Sequence, residues 1–246
     1  MNVIGLLGTT MSTNMPDGWG IVTDFHVWKH ILSDTLHVKC QCIGGIDFDS
    51  PGFSVIMGDP YANHISFNLD QTGITHVPTI PSIKVEFLLE VAMMLGNAGK
   101  VNFAVIVICS HGEPNGDICL GAGSGLAVEH LEQIQLEMAL DQCACPICAE
   151  RLFIVSTACY SGQWRSPHWT LLAAAECNQQ SNGMWPLASG ETSKGFFTWA
   201  ALAGQADEHG LSLPLAGEIV YPSDYVFPLH TDSLLCHPLL NQELTK

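Results

Sequence analysis

Two continuous apolar runs give this chain the pattern of a protein built on buried parallel strands. Residues 103–109 read Phe-Ala-Val-Ile-Val-Ile-Cys, and residues 152–158 read Leu-Phe-Ile-Val-Ser-Thr-Ala. Both runs are rich in β-branched and aromatic residues and lead into glycine-containing turns, which favours interior parallel strands over half-exposed antiparallel ones. We therefore predict such strands at Phe103–Cys109 and Leu152–Thr157, and another at Val3–Leu7.

Helical periodicity alternates with these strands. A helix is predicted from Ser82 to Gly96, with one face formed by apolar residues at helical spacing, namely Val85, Leu88, Leu89, Ala92 and Met93. Residues 17–20 are predicted as a loop, and Asp24 is predicted to cap a helix that ends near Leu32. The other predicted elements are strands at His37–Cys42, Trp169–Ala175 and Met184–Ala188, a hairpin at Gly116–Gly121, and helices at Val128–Leu140 and Gly195–Leu202.

This alternation of strands and helices predicts the fold class. We expect an α/β fold in which a mostly parallel central sheet is covered by helices on both faces. No linker divides the 246 residues, so they are predicted to form a single domain, residues 1–246. Residues 43–81 are rich in Gly, Pro, Asp and Asn and have no sustained period, which predicts a long irregular excursion within that domain.

The charge of the chain excludes some classes of partner. Its formal net charge is −16, because six lysines and two arginines stand against 24 acidic residues. Nucleic acids and anionic membrane surfaces bind through clustered Lys and Arg, so we expect neither as a partner. No apolar stretch reaches the roughly 18 to 20 residues needed to cross a bilayer. A basic or neutral ligand suits this chain better.

The ten cysteines are interpreted as free thiols. A chain of this length has enough residues for a core without disulfides, and its first residues lack the basic flank of a secretory signal. We therefore expect a reducing, cytoplasmic setting. Cys143, Cys145 and Cys148 are as closely spaced along the chain as the cysteines of a zinc site. No fourth ligand and no second paired motif accompany them, so we expect no metal and no cofactor. Alternatively, the loop that carries them is a processing segment that is cleaved during maturation.

A histidine and a cysteine follow the two strongest strands. Ser110-His111-Gly112-Glu113 comes after the first, and Ala158-Cys159-Tyr160-Ser161-Gly162 comes after the second, about 50 residues later. Functional sites of open α/β sheets lie at the carboxyl ends of the parallel strands. A thiolate there can attack a carbonyl, and an imidazole can transfer the proton. We therefore predict that His111 and Cys159 form a catalytic dyad.

The two loops resemble those of a known superfamily. Ser110-His111-Gly112-Glu113 resembles the histidine loop of caspases, and Thr157-Ala158-Cys159-Tyr160-Ser161-Gly162 resembles the cysteine loop of legumains, metacaspases and fungal caspase-like proteins. The resemblance implies the caspase-haemoglobinase fold and a cysteine peptidase. It also implies that Cys159 is the nucleophile, that His111 is the general acid and base, and that the amides of Gly112 and Cys159 form the oxyanion hole.

The specificity of those relatives does not carry over. They commonly have a glutamine, a glutamate or another acid two positions before the cysteine, where this chain has Thr157. A pocket for aspartate also needs arginines, and the chain has only Arg151 and Arg165. The candidate substrate-binding residues are Asp24, Thr157, Glu176, Trp185, Ser189 and Glu191, with Thr9 beside them.

Three functions stay open at the level of sequence. The first is hydrolysis of peptide or other acyl bonds through a thioester. The second is acyl transfer, peptide ligation or cyclisation, because a thioester can be captured by a nucleophile other than water. The third is a non-catalytic scaffold that binds a partner in the same groove. The expected partner is a peptide or small acyl substrate, and a homodimer is left open.

Overall fold

The computed structural model describes residues 2–9, 17–30, 32, 40–46, 48, 54–58, 64–68, 73–96, 103–121, 129–141 and 151–181. In chain order the elements are β1 (Asn2–Leu7), α1 (Asp17–Lys29), β2 (Cys40–Gly44), β3 (Ser54–Gly58), β4 (His64–Asn68), β5 (Ile74–His76), α2 (Ile80–Gly96), β6 (Ala104–Cys109), β7 (His111–Gly112), β8 (Ile118–Leu120), β9 (Glu129–Leu131), α3 (Gln133–Asp141), β10 (Leu152–Ser156) and β11 (Thr170–Ala173).

The central sheet has six strands in the order β11-β10-β6-β1-β2-β5, and every neighbouring pair is parallel. The predicted α/β fold with a mostly parallel sheet is therefore confirmed. The chain builds outward from β1 to β2 and β5 on one side, and then from β6 to β10 and β11 on the other. The carboxyl ends of β1, β6 and β10 consequently meet near the point where the strand order reverses, which is where open α/β sheets place their sites.

Alternate residues of the strands pack into two separate hydrophobic cores, one on each face of the sheet. In β6, Val105 and Val107 face the side covered by α1, whereas Ile106 and Ile108 face the side covered by α2 and α3. Each of these four side chains is at most 1% exposed. Burial on both faces explains why the strand reads as a continuous apolar run rather than as an alternating one.

Helix α1 begins seven residues before the predicted cap. It runs from Asp17 to Lys29, so Asp24 lies in its middle and residues 17–20 are not a loop. Asp24 is only 5% exposed, and the apolar residues around it, including Phe25 and Trp28, are buried against the sheet. The weak helix propensity of Gly18 and Gly20 costs about 1 kcal/mol each, and tertiary packing of this kind routinely overrides it.

Helix α2 confirms the predicted helix but not its predicted face. Val85, Leu89 and Met93 are 64%, 51% and 43% exposed, and the buried residues are Ile83, Phe87, Val91, Met94 and Leu95. The helix is apolar around most of its circumference, so periodicity alone left the inward face ambiguous. The larger side chain of Phe87 and its neighbours fill the core instead.

Two other segments differ from their predictions. Residues 43–81 are more regular than expected, because β3 and β4 form an antiparallel pair and β5 joins the central sheet beside β2. The predicted helix at Val128–Leu140 is split, since Glu129–Leu131 pairs with β8 as a strand and the helix begins only at Gln133. The elements predicted at Met184–Ala188 and Gly195–Leu202 lie outside the described residues. No described helix has the length and apolarity that a bilayer span requires.

Candidate active site

His111 and Cys159 follow neighbouring strands at equal distances. Strands β6 and β10 are paired in parallel with Ile108 opposite Ser156, and the predicted histidine and cysteine are each the third residue after that pair. The amide of Thr157 continues the ladder by donating to the Ile108 carbonyl at 3.0 Å. The sheet therefore brings the two loops side by side at its carboxyl edge, and both residues are partly exposed there.

Gly112 packs closely against the cysteine loop. A Cβ atom added at this position would clash with the Cys159 carbonyl oxygen and would lie 3.1 Å from the Cys159 carbonyl carbon and 3.3 Å from the Ala158 Cβ. Any side chain would therefore push the histidine loop away from the cysteine loop. This close approach accounts for a glycine directly after the histidine.

The Cys159 sulfur is in contact with the backbone of Ser181. The Ser181 amide donates to the Cys159 Sγ at 3.3 Å, and the Ser181 carbonyl oxygen lies 3.8 Å from the same sulfur. The Ser181 hydroxyl donates to the Thr157 carbonyl at 2.8 Å, which fixes the segment across the cysteine loop. An amide N–H aimed at the sulfur is a partner from which a thiolate can accept a hydrogen bond. No sequence pattern indicates Ser181, because its position depends on how the chain folds back after β11.

The cysteine loop is a tight turn with two conformational requirements. Tyr160 has φ 57° and ψ 14°, and among the described non-glycine residues no other has a positive φ. Its amide donates to the Gln179 carbonyl at 2.7 Å. A Cβ atom at Gly162 would lie 2.7 Å from the Cys177 nitrogen and 2.9 Å from the Ala175 carbonyl oxygen. The turn thus leaves Cys159 partly exposed while its next three residues are packed against the segment after β11.

Two side chains tie the cysteine loop to the histidine loop. The Gln163 side-chain amide donates to the Pro114 carbonyl at 2.5 Å and to the Cys177 carbonyl at 2.9 Å. The Trp164 indole N–H donates to the Gly116 carbonyl at 2.7 Å, and the ring is buried. Trp164 is therefore a packing residue.

Asp24 and Thr157 lie together behind the site, beside Cys109. All three are buried, and Cys109 is fully so. Burial raises the pKa of the Cys109 thiol well above its ordinary value, and the charge of Asp24 raises it further. Thr9, at the end of β1, is also buried. Cys109 is therefore a structural, inward-facing thiol at the end of β6.

The remaining predicted pocket residues are placed differently. Glu176 forms an ion pair with Arg165, whose guanidinium lies 3.0 Å from the carboxylate. Arg165 is largely exposed, so this pair is on the surface. Trp185, Ser189 and Glu191 lie outside the described residues, and their assignment to the pocket stays a prediction.

A second group of ligand-type side chains lies next to the dyad. Glu113, Cys119 and His130 present one donor atom each, and these atoms all lie within 4.8 Å of one another. The Cys119 thiol donates to the Glu113 carboxylate at 3.4 Å. Burial and the neighbouring Glu113 raise the pKa of Cys119 to about 12, and a charge on Cys159 contributes in the same direction. Sequence spacing could not indicate this group, because strand pairing brings its members together.

No protein-family model matches the chain, and no curated protein does. Among solved structures it is similar to a secreted C11 cysteine protease from Bacteroides thetaiotaomicron, determined in complex with an irreversible peptide inhibitor. The two chains are 17% identical, the TM-score is 0.35, and the match covers 65% of this chain and 42% of the protease. The chain thus matches less than half of that neighbour's length. So distant a likeness carries no argument about activity, which rests on the geometry of the site.

Proposed function

We propose that this protein is a cysteine-dependent hydrolase of peptide or other acyl bonds, with Cys159 as nucleophile and His111 as general acid and base. The observation that carries the proposal is the packing of Gly112 against the Cys159 carbonyl. It holds a histidine loop and a cysteine loop in contact at the carboxyl edge of adjacent strands, and this contact supports the placement of an imidazole and a thiol around one substrate carbonyl, as acyl transfer through a thioester requires.

The proposed reaction has two halves. The Cys159 thiol gives up its proton to His111 and attacks the substrate carbonyl, while the amides of Gly112 and Cys159 stabilise the negative charge on the carbonyl oxygen. His111 gives this proton to the departing amine as the carbon–nitrogen bond breaks, which leaves a thioester on Cys159. His111 then removes a proton from water, the hydroxide attacks the thioester, and His111 returns the proton to the sulfur as the carbon–sulfur bond breaks, which gives an acid and a free thiol.

The charges near the site support a basic or neutral substrate. Arg151 precedes β10 at the opposite end from the cysteine loop, and Arg165 is paired with Glu176. These are the only arginines in the sequence, so neither supplies a free guanidinium for an acidic substrate group. Asp24 is a buried carboxylate close enough to Cys109, the last residue of β6, for its charge to raise the pKa of that thiol. We therefore expect preference for a lysine or arginine side chain, and little cleavage after aspartate.

The test is covalent labelling with two peptidyl acyloxymethyl ketones, one ending in lysine and one ending in aspartate, followed by mass mapping. The lysine probe should modify Cys159, should give no adduct at this position in Cys159→Ala, and should label His111→Ala more slowly. Cys177→Ala is the matched control, because this thiol is exposed and should not affect the result. Labelling confined to Cys177 in the unmodified protein would contradict the proposal.

The products that form from a peptide substrate distinguish hydrolysis from its alternatives. Incubation of an unbiased peptide library with the protein should give new free carboxyl ends. New peptide bonds in place of free carboxyl ends would instead identify a transferase or ligase. Saturable peptide binding without any covalent product would identify a non-catalytic scaffold and would overturn the catalytic proposal.

A further inference from the structure

Three side chains with different metal-binding atoms converge beside the proposed dyad. Strands β7, β8 and β9 form a small antiparallel sheet in which Cys119 is paired with His111 on one side and with His130 on the other. Residues directly opposite in an antiparallel pair share one face, so these side chains form a row across the sheet. Glu113 follows the first strand, and its carboxylate reaches the sulfur of Cys119.

We propose that Glu113, Cys119 and His130 bind a zinc ion. A carboxylate oxygen, a thiolate and an imidazole nitrogen are the ligands that zinc takes in proteins, at about 2.0 to 2.3 Å. Tetrahedral ligands at those lengths are about 3.3 to 3.8 Å apart. The three donor atoms already lie within 4.8 Å of one another. Side-chain rotations that move these atoms by about 1 Å therefore bring them to zinc-binding distances.

The backbone that carries these ligands is fixed on several sides. Lys84 of α2 forms an ion pair with Glu129 and donates to the His130 carbonyl at 3.1 Å, which anchors β9. The Ser110 hydroxyl donates to the Cys119 carbonyl, which anchors β8. Ion binding therefore needs changes only in the side chains.

The three ligands differ in exposure, and this difference gives the ion a route to the site. Cys119 is 4% exposed, His130 is half-buried and Glu113 is exposed. An ion can therefore enter past the carboxylate and reach the sulfur at the bottom. Three protein ligands leave a fourth position for water, as in zinc sites that are open to solvent.

Binding requires one proton to leave. The Cys119 thiol, which donates to Glu113, binds zinc as a thiolate and releases its proton to solvent. No oxidant or reductant is involved. None of the three ligands belongs to the proposed dyad, so the zinc site and the peptidase proposal can fail independently.

The test is titration of the protein, residues 1–246, with cobalt(II), which gives a tetrahedral site visible absorption and a thiolate-to-cobalt charge-transfer band. Cys143, Cys145, Cys148 and Cys236 are first replaced by serine, because their surroundings lie outside the described residues and thiols there also bind the ion. We expect one equivalent of cobalt to bind with a single-thiolate band, and zinc to remove the band by displacement. The band should be lost in Cys119→Ala and in His130→Ala.

The matched controls are Cys177→Ala, His168→Ala and Cys159→Ala, all of which should keep the band. Far-UV circular dichroism of each variant checks that it is folded, and His130→Ala keeps the buried sulfur in place should Cys119→Ala unfold. Absence of the band in the parent protein, its retention in both Cys119→Ala and His130→Ala, or its loss in Cys159→Ala would each overturn the proposal.

Discussion

Two thiols at the same edge of the sheet have opposite environments. Cys109 is the last residue of β6, is fully buried, and has its pKa raised by that burial. Cys159 lies beyond the end of β10 in a tight turn, is partly exposed, and has a backbone N–H aimed at its sulfur. A displacement of a few residues past the sheet edge therefore separates an inert core thiol from a candidate nucleophile.

The largest expected effect separates these two thiols. Cys159→Ala should lower kcat/KM by at least about 10³-fold, because no other group can form the thioester. Cys109→Ala should keep the activity and lower the free energy of unfolding by about 1 kcal/mol, since it only removes buried packing. Steady-state kinetics and urea denaturation measure the two quantities. Equal activity of Cys159→Ala and the unmodified protein would eliminate the contrast.

The next effect tests the contact between the two loops. Gly112→Ala should lower kcat/KM by about 10²-fold, because the added Cβ clashes with the Cys159 carbonyl and displacements of about 1 Å are costly to catalysis. Gly96→Ala is the matched control, since nothing lies within 4 Å of a Cβ at that position. Full activity of Gly112→Ala would show that the loops do not depend on this contact.

A smaller effect is expected at Gln163, which bridges the histidine loop and the segment after β11. Gln163→Ala removes two neutral hydrogen bonds, worth about 1 kcal/mol each, so kcat/KM should fall by about fivefold or more. Gln135→Ala, on α3, is the control. If both variants are equally active, the bridge does not position the site.

The last effect concerns the stability of the buried thiols. Burial raises the pKa of Cys42 from 9.0 to about 12, and Cys119 is raised to the same range. Below pH 9 these thiols are protonated in both the folded and the unfolded states. Between pH 9 and 12 the unfolded state loses their protons first, so the free energy of unfolding should fall as pH rises. Urea denaturation of the unmodified protein and of Cys42→Ala should show a shallower fall in the variant, whereas equal slopes would contradict the assignment.

The strands and the two loops that carry His111 and Cys159 were predictable because their signals are local. β6 and β10 are buried on both faces and therefore read as continuous apolar runs, and the turns that follow them carry glycines and reactive side chains. Parallel pairing then places His111 and Cys159 at equal distances beyond the registered pair of Ile108 and Ser156.

Other features depend on contacts that no local pattern encodes. The start of α1 was missed because packing of Phe25 and its neighbours outweighs two glycines in the first turn. The predicted buried face of α2 was wrong because a helix that is apolar around most of its circumference gives no pattern that distinguishes its buried face. Ser181 and His130 reach the site only through chain reversal and strand register, so neither could be predicted from spacing.

The central claim is that Cys159 forms a thioester which His111 helps to break, and acylation with p-nitrophenyl acetate tests it most directly. This ester has a good leaving group, so acylation does not need the general acid, whereas hydrolysis of the thioester needs the base. The account predicts turnover by the unmodified protein and, in His111→Ala, accumulation of a hydroxylamine-sensitive acetyl group mapped to Cys159. An acetyl group on Cys177 alone, or no turnover by the unmodified protein, would contradict it.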